Sequence, residues 1–267
     1  MGNYIHGYLT GEQDRLLEQA GMLASLIYPW VDFAGRNKVL EVGSGVGAQT
    51  KVLLELYPEM HLTCVELEAS QIEKARINLQ NYASSRVQII QQDAQNLDLE
   101  EKKYDGAFIC WVLEHVSQPQ LVIDSVFNHL LPGGIVYITE VFNSSFHYFP
   151  QCDGLAAYYN AFNELQKENG GNPDIGLQLG NLLKKSGFEN IELKPGGLHL
   201  DQSQPARLKQ MVEYWKKLMK SAAEELILWG KIDQATVKAM ETDLDQLAQH
   251  PEAVFFYQFI QAKAFKP

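Results

Sequence analysis

Residues 38–48 read Lys38-Val39-Leu40-Glu41-Val42-Gly43-Ser44-Gly45-Val46-Gly47-Ala48. A short apolar run stops at glycines, and a helical pattern opens at Ala48 and continues to Tyr57, with Pro58 just beyond. Strand, glycine loop and helix in that order make a turn whose backbone a ligand can touch. The N-terminus of the following helix adds a partial positive charge suited to an anion or carboxylate. Glu66 ends the next apolar run, His61 to Glu66, 23 residues after Gly43. A carboxylate at that place can accept both hydroxyls of a ribose. The string also satisfies G-x-G-x-x-G/A with Ala48 last, so a nicotinamide dinucleotide is one candidate ligand.

Outward from this stretch, strands and helices alternate. Ala69 to Tyr82 is a predicted helix, Val87 to Ile90 and Tyr104 to Cys110 are strands, Leu121 to Leu130 is a helix, and Ile135 to Thr139 is a fifth strand after the turn Pro132-Gly133-Gly134. That rhythm implies right-handed βαβ units and a parallel sheet. Before it, residues from about 10 to 33 form a predicted helix that Pro29 ends or bends. After it, residues 142–175 are rich in aromatic and polar side chains and break the alternation. A helix from Ile175 to Ser186 stops at Gly187, Phe188 to Leu193 is a sixth strand, Gln204 to His250 reads as two helices, and Val254 to Ala264 is the last strand.

The chain has 267 residues, 22 Lys plus Arg against 33 Asp plus Glu, and a net charge of -11. Such a surface repels phosphate backbones, so nucleic acid is not expected as a partner. Three scattered cysteines, Cys64, Cys110 and Cys152, provide neither a disulfide framework nor a metal spacing, and no metal is expected. No apolar run approaches the ~20 residues that span a bilayer, and the N-terminus lacks a secretory pattern. No membrane partner is expected, and the cytoplasm is the expected compartment. G-x-S-x-G, G-x-x-x-x-G-K-[ST] and H-E-x-x-H are all missing from the sequence.

Three further segments fall on the carboxyl ends of predicted strands, the rim where open α/β sheets bind ligands. They are Asp93-Ala94 after the third strand, Leu113-Glu114-His115-Val116 after the fourth, and Leu131-Pro132-Gly133-Gly134 leading into the fifth. With Glu41 to Gly47 and Glu66, their order and spacing resemble the class I S-adenosylmethionine-dependent methyltransferases of the small-molecule type. The resemblance covers roughly residues 37–140. The opening Tyr4-Ile5-His6-Gly7-Tyr8 with Glu12, Arg15, Leu16 and Gln19 is also similar to segments that cap the cofactor pocket in some of these enzymes.

The resemblance implies an α/β fold: a Rossmann-like, seven-stranded, mostly parallel sheet with helices on both faces. An N-terminal helical lid (residues 1–36) precedes a cofactor-binding core (37–141). An aromatic-rich cap insertion (142–175), a core helix and strand (176–200), a helical cap insertion (201–250) and a final core strand (251–267) follow. It implies S-adenosyl-L-methionine as cofactor. Residues from Glu41 through Gly43, Ser44, Gly45 and Gly47 would face its methionine part, Glu66 its ribose, Leu67 its adenine face, and Asp93 with Ala94 its adenine amine. Trp111 would lie near the sulfonium, Arg15 by the methionine carboxylate, and Tyr8 in the same pocket.

A methyl acceptor would meet Tyr4, Glu140, Asn143, Tyr148 and Tyr158, with a small molecule as the expected partner and a homodimer left open. His115 and His147 are the candidate general bases, because histidine titrates near neutral pH. His147→Ala is then expected to slow turnover. Two rival functions stand beside this one: an NAD(P)-dependent oxidoreductase, and a non-catalytic protein that binds S-adenosylmethionine or S-adenosylhomocysteine and regulates a partner.

Overall fold

The computed structural model describes residues 10–99 and 104–267. Seven strands form one sheet: β1 (Lys38–Val42), β2 (His61–Glu66), β3 (Val87–Gln91), β4 (Tyr104–Cys110), β5 (Leu130–Phe149), β6 (Glu189–Asp201) and β7 (Val254–Phe265). Their order is β3-β2-β1-β4-β5-β7-β6. The first five are parallel, and β7 runs antiparallel to both β5 and β6. A dinucleotide-binding sheet of the usual 3-2-1-4-5-6 order has no such inserted last strand.

The crossover helices follow from the alternating pattern: α1 (Thr10–Ile27) leads in, then α2 (Ala48–Leu56), α3 (Ala69–Asn78) and α4 (Pro119–His129) link the parallel strands. β1 is buried at four of its five positions, as a central strand covered on both faces must be. Strand order reverses between β1 and β4, so their carboxyl ends splay connections to opposite faces and open a crevice. α1 stops at Ile27, and a single 3-10 turn, Tyr28–Trp30, carries Pro29 where the sequence places the break.

The largest departure from the sequence reading is the length of β5 and β6. β5 does not stop near Thr139 but runs on to Phe149, through the segment assigned above to a cap insertion. It does so because β7 lies alongside: after an irregularity past Phe142, His147 pairs with Phe256 and Phe149 with Val254. β6 extends in step, with Asp201 opposite Val254. A three-stranded ribbon therefore rises beyond the rim of the parallel sheet.

α5 (Asp153–Glu168), α7 (Pro205–Ser221), α8 (Ala223–Leu228) and α9 (Gln234–Leu247) gather around this ribbon, α5 packing on α9 and α9 on α7. Three helices, not two, thus separate β6 from β7. α6 (Leu179–Ser186) ends at Gly187 with φ +95°, the left-handed C-terminal stop its sequence announces.

Phe146, Tyr158, Trp215, Phe255 and Met240 from the ribbon and cap belong to the same apolar cluster as Val39, Leu62 and Phe108 of the parallel sheet. Cap and core therefore share one interior. Among the described residues, no helix is long and apolar enough to cross a membrane.

Candidate active site

The glycine loop is stapled to β2: the amides of Gly43 and Ser44 both donate to the carbonyl of Val65, at 2.8 and 3.1 Å. Gly43, Gly45 and Gly47 have φ of +69°, +52° and +77°, values that suit glycine. Glu66 closes the loop from the other side. Its Oε2 accepts from the Gly45 amide at 2.8 Å, and its Oε1 from the amides of Leu67 and Glu68 at 2.8 and 3.0 Å.

Glu41, by contrast, is turned into the interior, where Thr50 Oγ1 donates to it at 2.6 Å and Cys64 Sγ at 3.5 Å. Burial pushes its carboxyl up to about 7. It underpins the loop without lining the cavity above it.

That cavity has a volume of about 300 Å³, at the lower end of the size range of small-molecule sites. It starts at Gly43, Ser44, Gly45, Glu66, Leu67 and Ala94 and ends under the cap at Tyr159, Met211, Trp215, Tyr257 and Phe259. α1 roofs part of it: Arg15, Leu16 and Gln19 line it, and Arg15 Nη1 donates to Gln19 Oε1 at 2.8 Å and to the Tyr214 hydroxyl at 3.1 Å. The helix thereby ties the rim to α7.

The loop after β4 forms the wall between the two ends. Trp111 has φ +59°, rare for a residue with a bulky side chain. Its ring packs edge-on against Phe259 at 5.5 Å, and its indole N–H is buried without a partner. Glu114 and His115 complete this wall. Glu114 Oε2 accepts from Gln166 Nε2 of α5 at 2.8 Å, and His115 Nε2 lies 3.5 Å from Glu114 Oε1.

Not every candidate residue reaches the cavity. Glu140 does not: it is fully buried behind the loop, and its Oε1 accepts from the amides of Val112 and Leu113 at 2.9 and 2.8 Å. It positions the loop and is no acceptor ligand. His147 also lies outside. Alternation along β5 turns Phe146 into the aromatic cluster, 4.7 Å from Trp215, and leaves His147 exposed on the other face beside Phe256.

Tyr148 donates to the carbonyl of Cys152, away from the cavity. Tyr158 is sealed in the cap core and donates to the carbonyl of Met219, while its neighbour Tyr159 faces the cavity. Asp93 caps a short 3-10 turn, accepting from the Gln95 amide at 2.9 Å, with Gln92 and Ala94 beside it on the cavity wall. Gly47 caps α2 outside the lining. Asn143 does line the cavity; the Tyr257 hydroxyl donates to its Oδ1 at 3.0 Å, and it donates in turn to Asn163 at 2.9 Å. Tyr4 and Tyr8 fall outside the described residues.

The cap residues Trp215, Tyr257 and Phe259 were not among the candidates. Nothing local marks them, since their helical or strand spacing reads as ordinary core. Glu114 stood in a quoted motif and could have been singled out as the one carboxylate beside a candidate base.

His147→Ala is now expected to leave turnover unchanged within twofold; a tenfold loss in a steady-state assay would return the residue to the site. A second expectation concerns Glu140. Burial, reinforced by the neighbouring Glu114 carboxylate, pushes its carboxyl up to about 8. In the unfolded chain a glutamate titrates near ~4.3. Between those values the folded protein holds a proton that the unfolded chain has released. Stability is therefore fullest below the lower value and is lost as pH rises through the upper one. Glu41 adds to the same slope up to about 7. Glu140→Gln keeps an acceptor for the two amides and cannot ionise. It should flatten the fall in Tm between about pH 5 and about pH 9; an unaltered Tm profile would assign the slope elsewhere.

Residues 40–138 match the family described as Methyltransferase domain. With the sheet order and rim geometry above, this decides what the domain is. Residues 40–138 form a methyltransferase domain of the class I S-adenosylmethionine-dependent type. It is 26% identical over 205 residues to an O-methyltransferase of Penicillium expansum, covering 72% of this chain and 68% of that one. It is 24% identical over 170 residues to a ubiquinone/menaquinone biosynthesis C-methyltransferase of Syntrophotalea carbinolica, covering 59% and 71%.

Among solved structures it is similar to phosphoethanolamine N-methyltransferase 2 of Haemonchus contortus, with a TM-score of 0.61 and 16% identity. That superposition covers 97% of this methyltransferase and 58% of the nematode chain, and at such identity it speaks to the fold alone.

Proposed function

We propose that this methyltransferase transfers a methyl group from S-adenosylmethionine to N, O or S of a small molecule. One observation carries the reading: a single cavity joins the glycine-loop rim to the aromatic cap, so cofactor and acceptor halves are continuous. The rim fits the cofactor on its own residues. A Cβ built at Gly45 would meet nothing within 4 Å, which leaves a cradle for a ligand against the backbone. Leu67 is 39% exposed and lines the cavity, an unpacked apolar side chain where an adenine face would rest.

Glu66 would hold the ribose hydroxyls, Ala94 would offer backbone to the adenine, and Arg15 would face the methionine carboxylate. When bound, S-adenosylmethionine supplies an electrophilic methyl group on a sulfonium that leaves readily. The chain's task is then to orient the acceptor and keep water out, which suits an apolar, roofed cavity. His115, on the wall beside Glu114, is the group placed to take a proton when the acceptor arrives protonated.

α1 acts in this reading as the lid, and α5 with α7 to α9 as the cap that selects the acceptor. The named relatives carry O-, C- and N-methyltransferase names, so the choice of acceptor atom rests with the cap. The free cysteines Cys64, Cys110 and Cys152 fit a cytoplasmic enzyme.

Calorimetric titration with S-adenosylmethionine, S-adenosylhomocysteine and NADH tests the cofactor. Binding of the two sulfur compounds with no heat from NADH is expected. Binding of NADH alone would overturn the reading.

A further inference from the structure

The charge and aromatic content of the cavity bear on what the acceptor is. Among the described residues that line it, Arg15 is the only arginine or lysine, against the carboxylates of Glu66, Glu68 and Glu114. Arg15 is already engaged by Gln19 and Tyr214, and in the reading above it serves the cofactor end. Glu66 and Glu68 follow β2 and belong to the same end. The end under the cap therefore holds one formal charge, the Glu114 carboxylate, and no cation to receive a phosphate or carboxylate.

Glu114 is well fixed. It is 7% exposed, it is held by Gln166 from α5, and among the described residues its other oxygen is approached by His115 at 3.5 Å. A carboxylate that accepts so few hydrogen bonds has capacity left for another donor. Behind it lies Glu140, a second buried acid whose Oε2 has no partner. At neutral pH Glu140 keeps its proton, so Glu114 is the buried negative charge here, and a cation beside it offsets the cost of burying it.

Lining the same cavity as Glu114 are the rings of Trp111, Tyr159, Trp215, Tyr257 and Phe259. Aromatic faces attract cations and pack flat apolar rings. The hydroxyls of Tyr159 and Tyr257 are spent within the cap, on the carbonyl and side chain of Asn143. Among the described residues, the indole N–H groups of Trp111 and Trp215 are left without a partner, and the rest of these walls is ring surface.

We propose that the methyl acceptor is an aryl-bearing amine, its ring held among the cap aromatics and its nitrogen hydrogen-bonded by Glu114. It enters as the ammonium, gives its proton to His115 beside Glu114, and forms the N–CH3 bond as the neutral amine while the S–CH3 bond breaks and S-adenosylhomocysteine leaves. This rests on the cavity being the methyl-transfer site, and it deepens that reading to one acceptor class. The same arrangement disfavours acceptors that carry a phosphate or carboxylate at this end, since Glu114 would repel them.

The test uses the whole protein saturated with S-adenosylhomocysteine at near-neutral pH. Three probes share an indole ring and differ in the side-chain end: tryptamine (ammonium), tryptophol (hydroxyl) and indole-3-acetate (carboxylate). Calorimetry is expected to rank tryptamine at least tenfold above tryptophol, with indole-3-acetate weakest. Glu114→Gln should erase that preference while leaving S-adenosylhomocysteine affinity within twofold. Equal affinities for the three, tightest binding by indole-3-acetate, no binding by any of them, or a preference that survives Glu114→Gln would each overturn the proposal. Failure of S-adenosylhomocysteine itself to bind would instead overturn the methyltransferase reading, and the first titration separates the two.

Discussion

Replacing Gly43 with alanine is expected to damage the protein more than any other single methyl group added to the glycine loop. A Cβ there would lie 2.4 Å from Val112 Cγ2 and 2.9 Å from Val112 Cγ1. Val112 has little room to retreat, because its amide is held by Glu140 and its loop also carries Trp111, Glu114 and His115. The φ of +69° adds a second cost, since a side chain in that region is strained. Overpacking and backbone strain together amount to roughly 2–5 kcal/mol.

Gly45→Ala is the informative partner. Its Cβ would point into open space, and only the φ of +52° opposes it. Gly43→Ala should therefore lower Tm sharply. Gly45→Ala should keep most of the Tm and lose S-adenosylhomocysteine affinity, because its methyl group fills the cradle. Thermal denaturation with a calorimetric titration on each variant checks both. A Gly43→Ala protein with wild-type Tm would show that the two loops are not locked together.

The second large effect is expected at Glu66. Its carboxylate accepts from three amides, those of Gly45, Leu67 and Glu68, and so stands fixed at the mouth of the rim. A ribose bound there would use its remaining acceptor positions. Glu66→Ala is expected to weaken S-adenosylhomocysteine binding by about 1–3 kcal/mol, the scale of hydrogen bonds to a charged group. The loss of three amide partners also loosens the loop, so the titration is read beside Tm. Unchanged affinity in a folded variant would remove Glu66 from the ribose site.

Much of the rim was legible without coordinates, because each piece is local. Glu41 to Gly47 is a strand, a turn that needs positive φ, and a helix start, and all three constraints lie within a few neighbours. Glu66 and the loop from Trp111 to His115 follow strands whose apolar runs are unambiguous, and a parallel sheet puts such ends on one side. The break at Pro29 and the stop at Gly187 are equally local.

The acceptor end was not legible in that way. Phe142 to Phe149 looks like an irregular aromatic segment, and it becomes strand only because residues 254–259 arrive alongside from the far end of the chain. Once it is strand, alternation decides that Phe146 faces inward and His147 outward, and the candidate base is lost. Tyr158 and Tyr159 are adjacent tyrosines in one helix, and only the packing of Met219 decides which is core and which is wall. Glu140 ends a run that points at the rim, yet two amides of a neighbouring loop draw it underneath.

By itself the sequence determined the parallel sheet, the glycine turn and the rim residues that suit a nucleoside cofactor. Those rest on backbone propensities and apolar periodicity within short windows. The tertiary structure alone decided the shape and charge of the cavity under the cap: aromatic walls from α5, α7 and β7, with Glu114 as the one charge among the described residues there. Those side chains are separated by up to about 150 residues along the chain, and what each one faces depends on long-range strand pairing and on which neighbours leave a polar group unsatisfied.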